Sequence, residues 1–152
     1  MIDEVLCLDT TVLVKYLVIE ESREESEAAV QLVGRGLAGG RLVAPAWAWA
    51  EVGSVLRKKV RQRLISTEQA AALWSLFARL PVHYLDLPMI RARAWELAAR
   101  YSLPTLYDAA FLACTELAPA PIGAVREFWT ADETLLRSLG PARPGYVRRL
   151  GV

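Results

Sequence analysis

Val5-Leu6-Cys7-Leu8-Asp9, near the start of the chain, is an uninterrupted apolar run that ends in a carboxylate. Apolar residues without alternation are typical of a strand that is buried on both faces of a parallel sheet. The segment from Thr10 to Leu17 predicts a short helix, and Asp9 is a suitable N-cap for it. A buried strand that leads directly into a helix indicates an α/β fold.

The same succession of strands and helices continues along the chain. Apolar runs predict further strands at residues 41–44, 82–85, 127–130 and 146–148. Helical periodicity and capping residues predict helices at residues 21–33, 47–63, 66–80, 88–101, 105–117 and 131–139. The pattern therefore predicts a mainly parallel sheet of four to five strands that is covered on both faces.

Composition favours a single domain over residues 1–152. The chain has 152 residues, of which 54% are hydrophobic and 23% charged, which excludes a disordered chain. No uncharged run approaches the roughly 20 residues that span a bilayer, so we expect a cytoplasmic protein with no membrane contact. Cys7 and Cys114 are far apart and are predicted to be buried thiols. His83 is the only histidine, which disfavours a His-rich zinc site.

Residues 34–39, Gly-Arg-Gly-Leu-Ala-Gly, fit the spacing of a dinucleotide-binding loop. Such a loop follows a strand and opens a helix, whereas here a predicted helix precedes the glycines and a strand follows them. We therefore predict that this segment is a helix C-cap and a turn, and that it binds no nucleotide.

Four acids lie in stretches that are otherwise nearly free of charge, and a carboxylate is rarely buried without a partner. They are Asp9, Glu51, Asp108 and Asp132. Most of them are predicted near the carboxyl ends of strands, where ligands bind in parallel sheets. Carboxylates that converge repel each other unless a cation lies between them. Mg²⁺ and Mn²⁺ prefer oxygen ligands and can activate water for phosphodiester hydrolysis, so a metal-dependent hydrolase is one interpretation.

Each acid also has a structural explanation. Asp9 can act as an N-cap, and Asp108 can complete a capping box with Thr105. Asp132 can complement a helix dipole where Thr130 and Glu133 form the capping box. Glu51 lies inside an apolar helix, so its alternative is a buried ion pair, for which Lys15 is the candidate partner.

Four motifs together resemble the PIN domain family, and most closely its VapC-type toxins. They are residues 8–17, the helix with Ala50-Glu51-Val52, residues 103–113, and Trp129-Thr130-Ala131-Asp132. The resemblance implies a three-layer α/β/α sandwich and Mg²⁺- or Mn²⁺-dependent endoribonuclease activity. It also implies a homodimer and a VapB-like antitoxin, part of a type II toxin-antitoxin pair, whose C-terminal segment lies across the acidic pocket.

The same resemblance assigns the site residues. Asp9 and Asp108 would bind the metal directly, whereas Glu51 and Asp132 would bind it or orient its water. The family's hydroxyl residues fall on Thr130 and on Thr11, with Thr10 as a substitute for the latter. The connection at residues 118–125 is longer than is usual in the family, and it is interpreted as a surface insertion that could also change the pocket rim.

The net charge of +1 includes the four isolated acids, so the remaining surface is basic. Lys58 and Lys15 are the candidate contacts for RNA phosphates. Two other functions remain open at this point. One is a solitary RNA-processing nuclease of the same fold, and the other is a catalytically idle binding or regulatory module.

Overall fold

The computed structural model describes residues 3–151, which form five strands and seven helices. The strands are β1 (Glu4–Leu8), β2 (Arg41–Pro45), β3 (Val82–Leu85), β4 (Val125–Thr130) and β5 (Val147–Arg149). The helices are α1 (Thr10–Leu17), α2 (Arg23–Leu37), α3 (Ala48–Arg61), α4 (Thr67–Ala78), α5 (Pro88–Arg100), α6 (Leu106–Leu117) and α7 (Glu133–Leu139). None of these helices is both long enough and apolar enough to span a membrane.

All five strands are parallel and are arranged in the order β3-β2-β1-β4-β5. The central strand β1 pairs with both neighbours, so that Cys7 lies opposite Val43 on one side and Phe128 on the other. The predicted α/β fold with a sheet of four to five strands is thus confirmed, and the sheet is entirely parallel.

Helices cover the two faces of the sheet in separate groups, which completes the three-layer sandwich. Leu6 and Leu8 point into one apolar core together with α1 to α4. Val5 and Cys7 point into the other core together with α5 to α7. Because successive residues of a strand face opposite sides, both sides of β1 must be apolar. This explains the uninterrupted run, and both cysteines are free and buried as predicted.

The direction of chain progression across the sheet reverses between β1 and β4. From β1 the chain moves outward to β2 and β3, and later returns to β4 and β5 on the other side. In open parallel sheets a crevice forms beyond the carboxyl ends of the strands at this reversal. The ends of β1 and β4 are fixed together there, since the Asp9 N–H donates to the Trp129 carbonyl at 3.2 Å.

The predicted end of α2 was wrong. The helix continues through Gly34 and Gly36 to Leu37, and the turn comes at Gly39, whose φ is +127°. Gly36 is required by packing, because a Cβ there would lie 2.5 Å from the Leu42 side chain of β2. The order of helix, glycines and strand agrees with the prediction that this is not a dinucleotide-binding loop.

Residues 118–125 lie at the opposite end of the sheet from the crevice. They connect the end of α6 to the start of β4, whereas the crevice is at the end of β4. Ala118 is buried in the core and Ile122 is fully exposed. The connection is therefore a surface feature, and the suggestion that it changes the pocket rim was wrong.

Candidate functional site

Asp9 is a buried carboxylate at the junction of β1 and α1. Only 4% of the residue is exposed, and it caps α1 as predicted by accepting the Val12 N–H at 3.2 Å. The Thr11 hydroxyl donates to the same oxygen as the Val12 N–H, and the other oxygen accepts the Thr130 hydroxyl at 2.5 Å. Burial raises the pKa of Asp9 most strongly and the charge of Asp108 raises it a little, whereas the three hydrogen bonds lower it; the net pKa is about 7.

Thr130 and Asp132 connect the end of β4 to this carboxylate. The fully buried Thr130 hydroxyl donates to Asp9 and accepts the Asp132 N–H at 3.0 Å. Asp132 is itself the N-cap of α7, since it accepts the N–H groups of Thr134 and Leu135 at 2.9 and 3.1 Å. The predicted capping box between Thr130 and Glu133 was therefore wrong, because the Thr130 hydroxyl is directed to Asp9.

Glu51 lies in the first turn of α3 and is half-buried. Its carboxylate accepts the hydroxyl of the buried Thr10. The suggested ion pair with Lys15 is absent from residues 3–151, because the Lys15 ammonium instead lies 3.3 Å from Glu25 and 3.6 Å from Glu20. Glu51 thus has a hydroxyl partner and no cationic one in this part of the chain.

Asp108 is the acid with the fewest structural contacts. It lies in the first turn of α6, but Thr105 makes no side-chain capping bond there, so the predicted capping box was wrong. The pKa of Asp108 is raised by burial, and then by the negative charges of Asp132 and Glu51. This mutual repulsion shows that the structure brings the carboxylates within electrostatic reach of each other.

None of the four acids forms a salt bridge with any residue of 3–151. Within the same range, no three His, Cys, Asp or Glu side chains are grouped closely enough to enclose a metal ion. Mg²⁺ and Mn²⁺ do not require such a cage, because Mg²⁺ keeps several waters and needs only one or two carboxylates plus substrate phosphates. The hard oxygen donors therefore fit a hydrated divalent ion.

The two candidate RNA contacts differ in their surroundings. Lys58 is exposed and follows Glu51 by two turns of α3, and it forms no ion pair with the residues that the structure describes. Lys15 is mostly buried and lies between Glu20 and Glu25. A phosphate at Lys15 would have to compete with two carboxylates, whereas Lys58 has none to displace.

Sequence reasoning treated Thr10 only as a substitute for Thr11, and the structure gives the two hydroxyls separate partners. Thr11 bonds to Asp9 and also accepts the Ala131 N–H at 2.9 Å, whereas Thr10 bonds to Glu51. Thr10 and Glu51 are 41 positions apart, and neither residue is part of a local motif that could reveal this contact.

The Thr130 hydroxyl is expected to stabilise the fold through its two buried partners. A Thr130→Val variant should lose about 1–3 kcal/mol of unfolding free energy, because the Asp132 N–H and the Asp9 carboxylate each lose a partner. Urea denaturation at pH 8 measures this. Thr115→Val is the matched control, since that equally buried hydroxyl donates only to a carbonyl of its own helix, Phe111, at 2.9 Å. Equal losses in the two variants would contradict the assigned role of Thr130.

Comparisons with known proteins agree with this arrangement. The family model described as "PIN domain" matches residues 6–136 of the chain. No curated protein matches it. The matched range includes all four acids and both threonines that bond to Asp9.

Two solved structures have a similar fold over nearly the whole chain. One is a toxin-antitoxin complex from Klebsiella pneumoniae, with 18% identity and a TM-score of 0.60, where the match covers 94% of this chain and 95% of the other. The second is VapBC2 from Rickettsia felis bound to a DNA fragment from its promoter, with 12% identity and a TM-score of 0.61, covering 96% and 98%. At these identities the likeness establishes the fold.

Proposed function

Since this chain belongs to the PIN domain family, we propose that it is a Mg²⁺- or Mn²⁺-dependent endoribonuclease and the toxin of a VapBC-like type II pair. The observation that carries this proposal is the group of four acids at the switch point of the sheet. The charge of Asp108 raises the pKa of Asp9, the charges of Asp132 and Glu51 raise the pKa of Asp108, and no cation among residues 3–151 forms a salt bridge with the four acids. A divalent ion and a phosphodiester together would supply the missing counter-charge and the reaction.

Each residue of the site has a role in this proposal. Asp9 and Asp108 would hold the ion, and Glu51 and Asp132 would orient its water or bind it as well. Thr11 and Thr130 fix the Asp9 carboxylate through their hydroxyls, and Thr10 fixes Glu51 in the same way. When bound, the ion lowers the pKa of a water nucleophile and stabilises charge on the phosphodiester. No histidine base is needed.

Cleavage of RNA by the purified protein tests the activity. Single-stranded RNA should be cut internally in the presence of MnCl₂ or MgCl₂ and should remain intact with EDTA. Internal cuts distinguish an endonuclease from an exonuclease that shortens the ends. RNA that stays intact with both metals, together with no ion binding by calorimetry, would reject the nuclease and favour an idle binding module.

Lys58 is proposed to contact an RNA phosphate. A Lys58→Ala variant should bind RNA several-fold more weakly. In a plot of the logarithm of the association constant against the logarithm of the salt concentration, its slope should be shallower by about one, because one fewer counterion is released. Fluorescence anisotropy at several salt concentrations, with EDTA present, measures both quantities. Lys15→Ala is the matched control and should change them little, because Glu20 and Glu25 already neutralise Lys15. A Lys15 effect as large as the Lys58 effect would contradict this assignment.

We further propose that two copies of the chain associate and that an antitoxin silences the pair. The homodimer is supported by large apolar side chains exposed on α5 and at the start of α6, which is typical of association surfaces. They are Met89, Trp95, Leu106 and Tyr107. The antitoxin is supported by the unneutralised acids, which would attract a cationic side chain of a partner. An RNA substrate implies that the proposed activity is cytoplasmic.

A further inference from the structure

A cleft between α3 and α4 lies outside the acidic site and carries two partly exposed tryptophans. Its volume is about 480 Å³, which is within the range of pockets that hold small ligands. Trp49 and Trp74 line it and are 51% and 37% exposed. The rest of the lining is mostly small, so the indole rings are its main contact surfaces. These small residues are Ala50, Gly53, Ser54, Thr67, Ala70 and Ala71.

Gly53 sets the position of one ring. A Cβ at Gly53 would lie 2.9 Å from a ring atom of Trp74, so only glycine lets this ring lie directly against α3. The Trp74 ring also lies near the Phe77 ring of the same helix, with ring centroids 5.7 Å apart. The Trp74 ring is thus held in place while part of it faces the cleft.

Cationic side chains lie in and just beyond the part of α3 that lines this cleft. Arg57 lines it, and Lys58, Arg61 and Arg63 follow at the end of the same helix. In the described part of the chain none of these four forms a salt bridge, whereas Lys59 is paired with Glu20 at 2.7 Å. Two acids are close by in the sequence of these helices: Glu68 lies in the first turn of α4, and Glu51 lies on α3 between the lining residues Ala50 and Gly53. The charge around the cleft therefore suits a polyanion.

The cleft shares Trp49 with a second cleft that is also lined by aromatic side chains. Trp49 also lines a second cleft, of about 590 Å³, together with Trp47 and Tyr107. Tyr107 directly precedes Asp108, and its ring centroid is 5.1 Å from that of Trp47 in an edge-to-face contact. The two clefts thus share Trp49, and the second cleft reaches Tyr107, the residue before Asp108.

We propose that the cleft formed by Trp49, Trp74 and Arg57 binds an unpaired base of the RNA, away from the scissile phosphate. This inference rests on the proposed ribonuclease function. Bases stack on aromatic rings, and cations at the rim bind the backbone, which is how single strands are recognised without a fixed sequence. A base within a duplex has no free face to stack, so the cleft selects single-stranded RNA. A cationic peptide would be repelled by the unpaired arginines and lysine.

Anisotropy of a labelled oligouridine, with EDTA present to prevent cleavage, tests this proposal. Trp74→Leu should weaken binding roughly ten-fold, as expected for the loss of one stacked base. Gly53→Ala should also weaken it, because the added methyl group displaces the Trp74 ring without removing a charge. Gly34→Ala is the matched control and should have no effect, since nothing lies within 4 Å of its added methyl group. Thermal unfolding confirms that each variant is folded.

An abasic strand of the same length separates stacking from charge. The wild-type protein should bind it roughly ten-fold more weakly than oligouridine, and Trp74→Leu should cause no further loss. The proposal would be overturned if Trp74→Leu and Gly53→Ala both bound oligouridine as tightly as the wild-type protein. It would also be overturned if Trp74→Leu lost the same amount of affinity for the abasic strand as for oligouridine. If these variants changed the self-association of the protein, measured by sedimentation velocity, but not its affinity for RNA, the cleft would be a contact between protein chains. That result would also overturn the proposal.

Cleavage by the wild-type protein with Mn²⁺ is measured in parallel. If base-dependent binding is found in EDTA but no cleavage occurs with metal, the cleft proposal stands and the nuclease proposal fails. If cleavage occurs and wild-type binding does not depend on bases, the nuclease proposal stands and the cleft proposal fails.

Discussion

An Asp108→Asn variant should lose RNA cleavage by at least about a hundred-fold, while its free energy of unfolding stays the same or rises. The loss is expected because the amide cannot supply a second anionic oxygen to the proposed metal ion. The stability is expected to hold because the Asp108 side chain caps nothing and is repelled by Asp132 and Glu51. Removing its charge relieves this repulsion.

Cleavage time courses and urea denaturation of the same protein preparation measure both effects. Glu96→Gln is the control, because this exposed acid of α5 pairs only with Arg93 in the described residues, and cleavage should be unchanged. Asp9→Asn should also lose cleavage. Unchanged cleavage in both Asp108→Asn and Asp9→Asn would reject this site, and a large loss of stability in Asp108→Asn would indicate a structural role for Asp108.

Mn²⁺ should raise the melting temperature of the protein at pH 8 by roughly 5–10 °C at saturating concentration and by little at pH 5. Burial raises the pKa of Asp9 from 3.8 to about 7. The folded state therefore holds this proton more tightly than the unfolded chain, and the resulting stability is present below about pH 4 and is lost as the pH rises to about 7. The ion binds the ionised carboxylate, so the stabilisation that Mn²⁺ provides increases as the pH rises.

Differential scanning fluorimetry at several pH values, with Mn²⁺ or with EDTA, measures how the shift in melting temperature depends on pH. The Asp108→Asn variant should show a smaller shift at pH 8, because it lacks one proposed ligand. A shift of equal size at pH 5 and pH 8 would show that the ion binds elsewhere. No shift at pH 8 would contradict divalent-ion binding at the four acids.

Much of the fold could be predicted because its signals are local. The bounds of α1 and β3 agree with the prediction, since Asp9 caps α1 and a short apolar run defines β3. The end of α2 could not be predicted in this way. Gly36 resembles a helix terminator in the sequence, but it is required by the close approach of Leu42 across the sheet. That contact depends on tertiary packing, which outweighs helix propensity.

The acids of the site could be identified from their isolation in apolar segments, but their partners could not. The Thr105 and Asp108 spacing fits a capping box, yet the cap is not made. Lys15 was a plausible partner of Glu51, yet it binds Glu20 and Glu25, and Thr10 bonds to Glu51 instead. Hydroxyl-to-carboxylate contacts between distant segments leave no periodic signal in a single sequence.

The pairing of β1 with β4 determines when the proposed activity can first arise during protein synthesis. Asp9 is synthesised 121 positions before its partner Thr130. A nascent chain that has not yet reached β4 has neither the Thr130 hydroxyl nor Asp132. Such a partial chain cannot assemble the site, so a ribonuclease of this design would not act on the message from which it is being translated until nearly the whole domain has been made.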